Sequence, residues 1–110
     1  MSMFAVTREA GPGWTDGKAT FDQPAVSDHG DFMNNLATEG FVLFAGPLAG
    51  SETGRIRVLL IADAASEDEV HQRLADDPWE RTQQLVTTNV ESWNLFVGAE
   101  RLNTAHGSVS

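Results

Sequence analysis

The sequence contains no cysteine. Disulfides, thiolate metal sites and cysteine nucleophiles are therefore excluded. The sequence also lacks an apolar run of about 18 residues, and it lacks a basic start followed by an apolar stretch and a small-residue cleavage site. These absences predict that the chain has no membrane span and no secretory signal. We expect a cytoplasmic protein with no membrane partner.

Basic residues are scarce. There are 7 lysines and arginines against 16 aspartates and glutamates, so the formal net charge is −9. A surface of this charge repels phosphate backbones and anionic lipids, and nucleic acid is not an expected partner. The acidic residues are scattered through predicted loops and helix starts, which is typical of a solvated surface.

The patterns of metal and nucleotide sites are also missing. The three histidines, His29, His71 and His106, show no i, i+4 pairing, so the spacing of a three-ligand metal site is absent. No serine lies in a nucleophile elbow, and no glycine pattern has the strand-to-helix context of a phosphate loop. We expect no metal and no cofactor.

The apolar content is sufficient for one packed domain, since 41% of the 110 residues are hydrophobic and 21% are charged. Local patterns predict strands at residues 3–8, 41–45, 55–62 and 85–97. They predict helices at residues 24–39 and from a capping box at Ser66 to about residue 76. Residues 1–97 form the predicted domain, and residues 98–110 form a tail that is either flexible or associated with a dimer.

The predicted order β-α-β-β-α-β indicates an α+β, ferredoxin-like fold. Its four-stranded antiparallel sheet carries both helices on one face. The second and third strands are apolar on both sides, so we expect the helix-free face to be covered. Dimerisation sheet to sheet is the simplest way to cover it.

The first predicted helix carries a histidine on its apolar face. His29, Phe32, Met33, Leu36 and Ala37 follow the i, i+3, i+4, i+7, i+8 spacing of one helical face. Such a histidine is either an inert core residue bonded to the backbone or a proton-transfer group, because imidazole titrates near neutral pH. The pattern leaves both interpretations open.

Several short motifs occur in one order along the chain, and together they resemble the YCII-related (YciI-like) family over residues 3–97. They are GPGW (11–14), Gln23, HGDFMNNLATEG (29–40), GPL (46–48), the capped helix at Ser66, DPW (77–79) and SW (92–93). The resemblance implies a dimeric α/β-barrel, in which two ferredoxin-like units pack sheet to sheet as a homodimer or a higher even oligomer. One departure is ERTQQL (80–85), where relatives often carry a glycine before the leucine.

The resemblance also implies a catalytic pair. In this family a histidine of the first helix and the aspartate of the DP turn are the suspected acid and base, and these positions match His29 and Asp77. Without the resemblance, an aspartate before proline is simply a common turn opener. A few members resemble dehydrochlorinases of substituted hydroquinones, and the wider superfamily includes muconolactone isomerases and cofactor-free monooxygenases. Likeness of fold does not choose among these reactions.

Six further residues are candidates for contact with a small-molecule ligand. The tryptophans could stack on a flat ring, but they also suit ordinary core or dimer packing. The candidates are Trp14, Gln23, Phe32, Pro47, Trp79 and Trp93.

The leading hypothesis is a cofactor-independent lyase or isomerase that uses a His/Asp pair in an apolar pocket. The alternative is a non-catalytic dimeric module that binds a small ligand or serves as an accessory domain. A third interpretation keeps the fold and leaves the pocket empty.

Overall fold

The computed structural model describes residues 2–52 and 55–105. The helices are α1 (Val26–Thr38), α2 (Glu67–Leu74), α3 (Pro78–Arg81) and α4 (Glu100–Ala105), and a single 3-10 turn covers Thr20–Asp22. The strands are β1 (Ser2–Ala10), β2 (Val42–Pro47), β3 (Arg57–Ala64) and β4 (Leu85–Ser92). All neighbouring strands are antiparallel, in the order β2-β3-β1-β4. The predicted α+β fold is confirmed.

The main core lies between the sheet and the first two helices. Because side chains alternate along a strand, Phe4, Val6 and Arg8 of β1 share the face that the helices cover. Leu36 of α1 and Leu74 of α2 pack on this face. An arginine therefore lies in register with the core positions of a central strand, and it is only 1% exposed.

A second cluster lies at the end of the sheet where β1 meets the start of β4. It consists of Trp14, Ile56, Trp79 and Leu85. The loop that carries Trp14 is pressed against the chain after α3, and the Gly13 amide donates to the Gln83 carbonyl at 2.8 Å. A Cβ atom at Gly13 would lie 2.0 Å from the Thr82 carbonyl oxygen, so this part of the GPGW motif requires glycine.

Helix boundaries follow local chemistry. The Ser66 hydroxyl accepts a hydrogen bond from the Glu69 amide at 3.1 Å, as predicted. The Glu69 carboxylate accepts from the Ala65 amide at 2.7 Å, and not from the Ser66 amide as a capping box would have it. The first helix begins at Val26 and not at Pro24, because Ala25 adopts left-handed backbone angles (φ 61°).

The last strand ends at Ser92 and not at residue 97 as predicted. Phe4 pairs with Ser92, and the Trp93 amide still donates to the Met3 carbonyl at 2.9 Å. The strand ends here because β1, which begins at Ser2, has almost no further residues to pair with. The predicted tail is described as far as residue 105 and contains α4, whereas residues 106–110, including His106, lie outside the described residues.

The helix-free face of the sheet carries apolar side chains toward its β2 edge. Phe44 pairs with Ile61, which pairs with Ala5 of β1, and these three share this face. Phe44 is 53% exposed and Leu59 is 42% exposed. Within the described part of the chain, no helix has the length and apolar character needed to cross a membrane.

Candidate functional site

The fold brings His29 and Asp77 together, although they lie 48 positions apart in the sequence. Nδ1 of His29 lies 2.9 Å from Oδ1 and 2.8 Å from Oδ2 of Asp77. His29 lies in the first turn of α1, and Asp77 directly precedes α3. The histidine is 18% exposed, whereas the aspartate is fully buried. A partly accessible imidazole is thus backed by a carboxylate that water does not reach.

Asp77 has this position because it caps α3. Its backbone is extended (φ −61°, ψ 128°), as expected before a proline, and Pro78 occupies the first helical position. Its Oδ1 accepts the Trp79 amide at 2.9 Å. The turn-opening role and the contact with His29 therefore belong to the same carboxylate.

Arg8 supplies the positive charge beside this carboxylate. Its Nη2 lies 3.0 Å from Oδ2 of Asp77 and 2.8 Å from Oε2 of Glu80. Neither Arg8 nor Glu80 was predicted from the sequence. The burial of Arg8 could have been predicted from strand alternation. Arg8 lies four residues after Phe4 and two after Val6, so it falls on the buried face of the predicted strand. Glu80 had no comparable signal.

The charges around Asp77 determine its protonation. Burial by itself raises the pKa of Asp77, but the hydrogen bond with His29, the positive charges of His29 and Arg8, and the Trp79 amide outweigh burial. The net result is a pKa below the ordinary value of 3.8. Asp77 is therefore a carboxylate throughout the neutral range and accepts a hydrogen bond from the Nδ1–H group of His29. Nε2 of His29 is left to exchange protons with another molecule.

Trp79 holds the plane of the imidazole. The two rings are stacked in parallel, with centroids 4.0 Å apart and planes 7° apart. The indole is itself fixed by a 2.8 Å hydrogen bond from Nε1 to the Pro24 carbonyl and by an edge-on contact with Trp14, with centroids 5.7 Å apart. Trp79 is fully buried. It therefore has no free surface for the predicted ligand contact, and it supports His29 instead.

The other predicted ligand contacts are spread over the molecule. Gln23 is buried, and its amide bonds the backbone of Thr15 and Lys18, so it holds the loop that follows Trp14. Phe32 is half-buried and packs against the main core. The structure thus gives Gln23 and Phe32 packing contacts.

Pro47 and Trp93 lie at different ends of the sheet. Pro47 is exposed at the end of β2 and pairs with Val58, which also pairs with Arg8, so it lies at the end that holds the His29 site. Trp93 lies beside Met3, with most of β1 between it and Arg8, and is 46% exposed. Trp93 is therefore not brought to His29 and Asp77 within one chain.

A shallow groove of about 330 Å³ lies beside Trp14. Its lining residues are Trp14, Asp16, Gly17, Lys18, Ala19, Glu52 and Arg55. Neither His29 nor Asp77 lines the groove, which is linked to them through the contact of Trp14 with Trp79. Within residues 2–52 and 55–105, no group of three or more histidine, cysteine or acidic side chains is placed to hold a metal ion.

Comparison with known proteins gives one family and a similar solved structure. The model of the YCII-related domain matches residues 5–94. No curated protein matches the chain. The fold is similar to that of 5-chloro-2-hydroxyhydroquinone dehydrochlorinase from Burkholderia phenoliruptrix, solved in complex with 2,5-dihydroxybenzoquinone, with a TM-score of 0.60 and 21% sequence identity. The likeness covers 86% of this chain and 95% of that chain, and at this identity it establishes the fold alone.

Proposed function

The chain belongs to the YCII-related family, and from this membership we propose that it is a cofactor-independent enzyme that acts on a small molecule. His29 is its general acid or base, and Asp77 orients the imidazole. The observation that carries the proposal is the contact of His29 Nδ1 with a fully buried carboxylate at 2.8 and 2.9 Å.

This arrangement suits reactions that move a proton. Nε2 of His29 can remove a proton from carbon or oxygen, and the anionic Asp77 stabilises the imidazolium that forms. In a lyase, the electrons left behind expel a leaving group from the neighbouring atom. In an isomerase, the imidazolium returns the proton at another position. Both reactions need only the histidine and its carboxylate, so lyase or isomerase chemistry is the proposed class.

The solved relative supports a compact, flat substrate. That protein is a dehydrochlorinase, and it was solved with a quinone bound. We extend the class of ligand, an aromatic or lactone-like ring, to this chain.

A homodimer is part of the proposal. Phe44 and Leu59 leave apolar surface on the helix-free face of the sheet. A second copy would cover this surface with the same face of its own sheet. A cytoplasmic location is likewise proposed, on the basis of the sequence alone.

One observation favours a second candidate function. Neither His29 nor Asp77 lines the groove beside Trp14, so a non-catalytic module could bind a small ligand there without the His/Asp pair.

The test is a turnover screen of chlorinated hydroquinones and small unsaturated lactones with the wild type and two variants, His29→Asn and Asp77→Asn. We expect each variant to lose about 100-fold or more of the activity, because positioned acid–base groups contribute at least this much. His71→Asn is the matched control, since His71 is 48% exposed and its nearest charged partner is Glu67 on the surface of α2. Turnover that survives both changes at His29 and Asp77 would reject the catalytic proposal.

A further inference from the structure

Glu80 occupies the glutamate position of a capping box, but its side chain does not make the capping-box hydrogen bond. It lies three residues after Asp77, and the pattern D-x-x-E normally returns the glutamate side chain to the amide of the capping residue. Here the Asp77 amide donates instead to the Leu74 carbonyl at 3.1 Å. The Glu80 carboxylate is therefore available for other partners. Its Oε2 accepts hydrogen bonds from Nη2 of Arg8 at 2.8 Å and from the hydroxyl of Thr87 at 3.0 Å.

A bulge in β4 makes the contact with Thr87 possible. Thr7 pairs with Asn89, and Arg8 pairs with Thr87, so Thr88 is the additional residue between them. Without the bulge, Thr88 would lie opposite Arg8. The bulge thus places the Thr87 hydroxyl on the buried face, where it fixes Glu80 next to Arg8.

The Arg8 guanidinium is buried and is held in place by its partners, of which Glu80 is one. Arg8 comes from β1, which is paired on both sides, and its side chain is 1% exposed. Its Nη1 points at the sulfur of Met33 at 3.6 Å. Nη2 carries two protons and faces two carboxylates, those of Asp77 and Glu80.

This sharing determines how Asp77 is held. Oδ1 of Asp77 accepts the Trp79 amide, and Oδ2 faces Arg8. If Glu80 did not occupy Arg8, the guanidinium would be free to pair with both oxygens of Asp77, which is its preferred geometry with a carboxylate. Such pairing would draw the carboxylate away from Nδ1 of His29.

We propose that Glu80 is a positioning residue, which acts through Arg8 to keep the Asp77 carboxylate directed at His29 and so keeps the imidazole proton on Nδ1. The inference rests on the proposed function, because it concerns the same pair of residues. Glu80 itself is not a catalytic residue, since it acts on His29 through Arg8 and Asp77.

The experiment measures where the imidazole proton resides, by long-range ¹H–¹⁵N NMR of His29 at a pH where the ring is neutral. We expect the Nδ1–H tautomer to dominate in the wild type. Glu80→Ala should raise the Nε2–H population several-fold, and Thr87→Val should change it in the same direction by less. Glu39→Gln is the control, because it removes a carboxylate that is 56% exposed and pairs with Arg73. In this control the tautomer ratio should match the wild type.

Glu80→Gln keeps the shape of the side chain and an oxygen that can accept from Arg8, so it should shift the ratio less than Glu80→Ala. If Glu80→Ala does not fold, the tautomer ratio is measured in Glu80→Gln and Thr87→Val. Both substitutions are close in shape to the native residues. A wild-type tautomer ratio in the folded Glu80 and Thr87 variants would overturn the proposal and leave Glu80 as a plain counter-ion of Arg8. The NMR measurement needs no substrate, so this proposal depends on the tautomer ratio alone, whereas the catalytic proposal depends on turnover.

Discussion

Replacement of Asp77 by asparagine tests how strongly the buried charges depend on one another. Asparagine caps a helix about as well as aspartate, so the start of α3 is retained. The substitution removes the negative charge beside Arg8 and His29 and places an amide there. Removal of one partner from a buried ion pair costs about 3–5 kcal/mol. Glu80 still faces Arg8 at 2.8 Å, so we expect a cost near the lower end, about 3 kcal/mol.

The measurement is urea and thermal unfolding at pH 7, at one protein concentration, since an oligomer would make the midpoint concentration-dependent. For a domain of this size, a loss of about 3 kcal/mol lowers the Tm by roughly 12 °C or more. Asp76→Asn is the matched control, because Asp76 is the preceding residue, is 71% exposed and pairs with the exposed Arg81 at 3.3 Å. Its cost should be below about 0.5 kcal/mol. If Asp77→Asn is no more destabilising than Asp76→Asn, the charges of this cluster do not hold the site together.

Three further predictions follow from other features. The pKa of Asp77 is lower in the folded chain than its ordinary value of 3.8, so the contribution of its charge to stability is fully present above that value and is lost as the pH falls through the folded pKa. The stability difference between the wild type and Asp77→Asn should therefore shrink in acid unfolding below about pH 4. A difference that stays constant would contradict a lowered pKa of Asp77 in the folded chain. Phe44→Asp should convert the proposed dimer to a monomer in analytical ultracentrifugation, whereas Phe21→Asp, at a site that is 84% exposed on the 3-10 turn, should not; a wild-type sedimentation profile for Phe44→Asp would argue against the proposed sheet-to-sheet interface. Gln83 has left-handed backbone angles (φ 61°), so Gln83→Gly should raise the free energy of unfolding by about 1 kcal/mol in urea titration. A loss of stability would show that the hydrogen bond from the Gln83 side-chain amide to the Glu80 carbonyl outweighs the backbone strain.

The fold was predictable because it depends on periodicity. The alternating strands and the i, i+3, i+4 spacing of the helices each reflect one buried face, and their order allows few topologies. Boundaries were less predictable, since the end of β4 at Ser92 depends on how much of β1 remains to pair with it. The left-handed conformation of Gln83 lies within the segment ERTQQL (80–85), but the letters QQL do not reveal the backbone angle.

The candidate site was predictable only in part. No local pattern relates His29 to a residue 48 positions later, and their juxtaposition was expected from the family resemblance. The alternation that buries Phe4 and Val6 also places Arg8 on the buried face, but a pattern of apolar residues alone does not include an arginine. Trp79 was expected to contact a ligand, whereas its indole is stacked on His29, bonded through Nε1 to the Pro24 carbonyl and fully buried.

The two duties of the carboxylate at position 77 matter for how relatives are compared. In a relative without the proposed reaction, loss of this aspartate would still destabilise the fold, because the start of α3 and the buried Arg8 guanidinium depend on it. Retention of the aspartate in a homologue is therefore weak testimony for activity. His29 caps no helix and is 18% exposed, so under the proposed function a change at position 29 would be the clearer mark of a lost reaction.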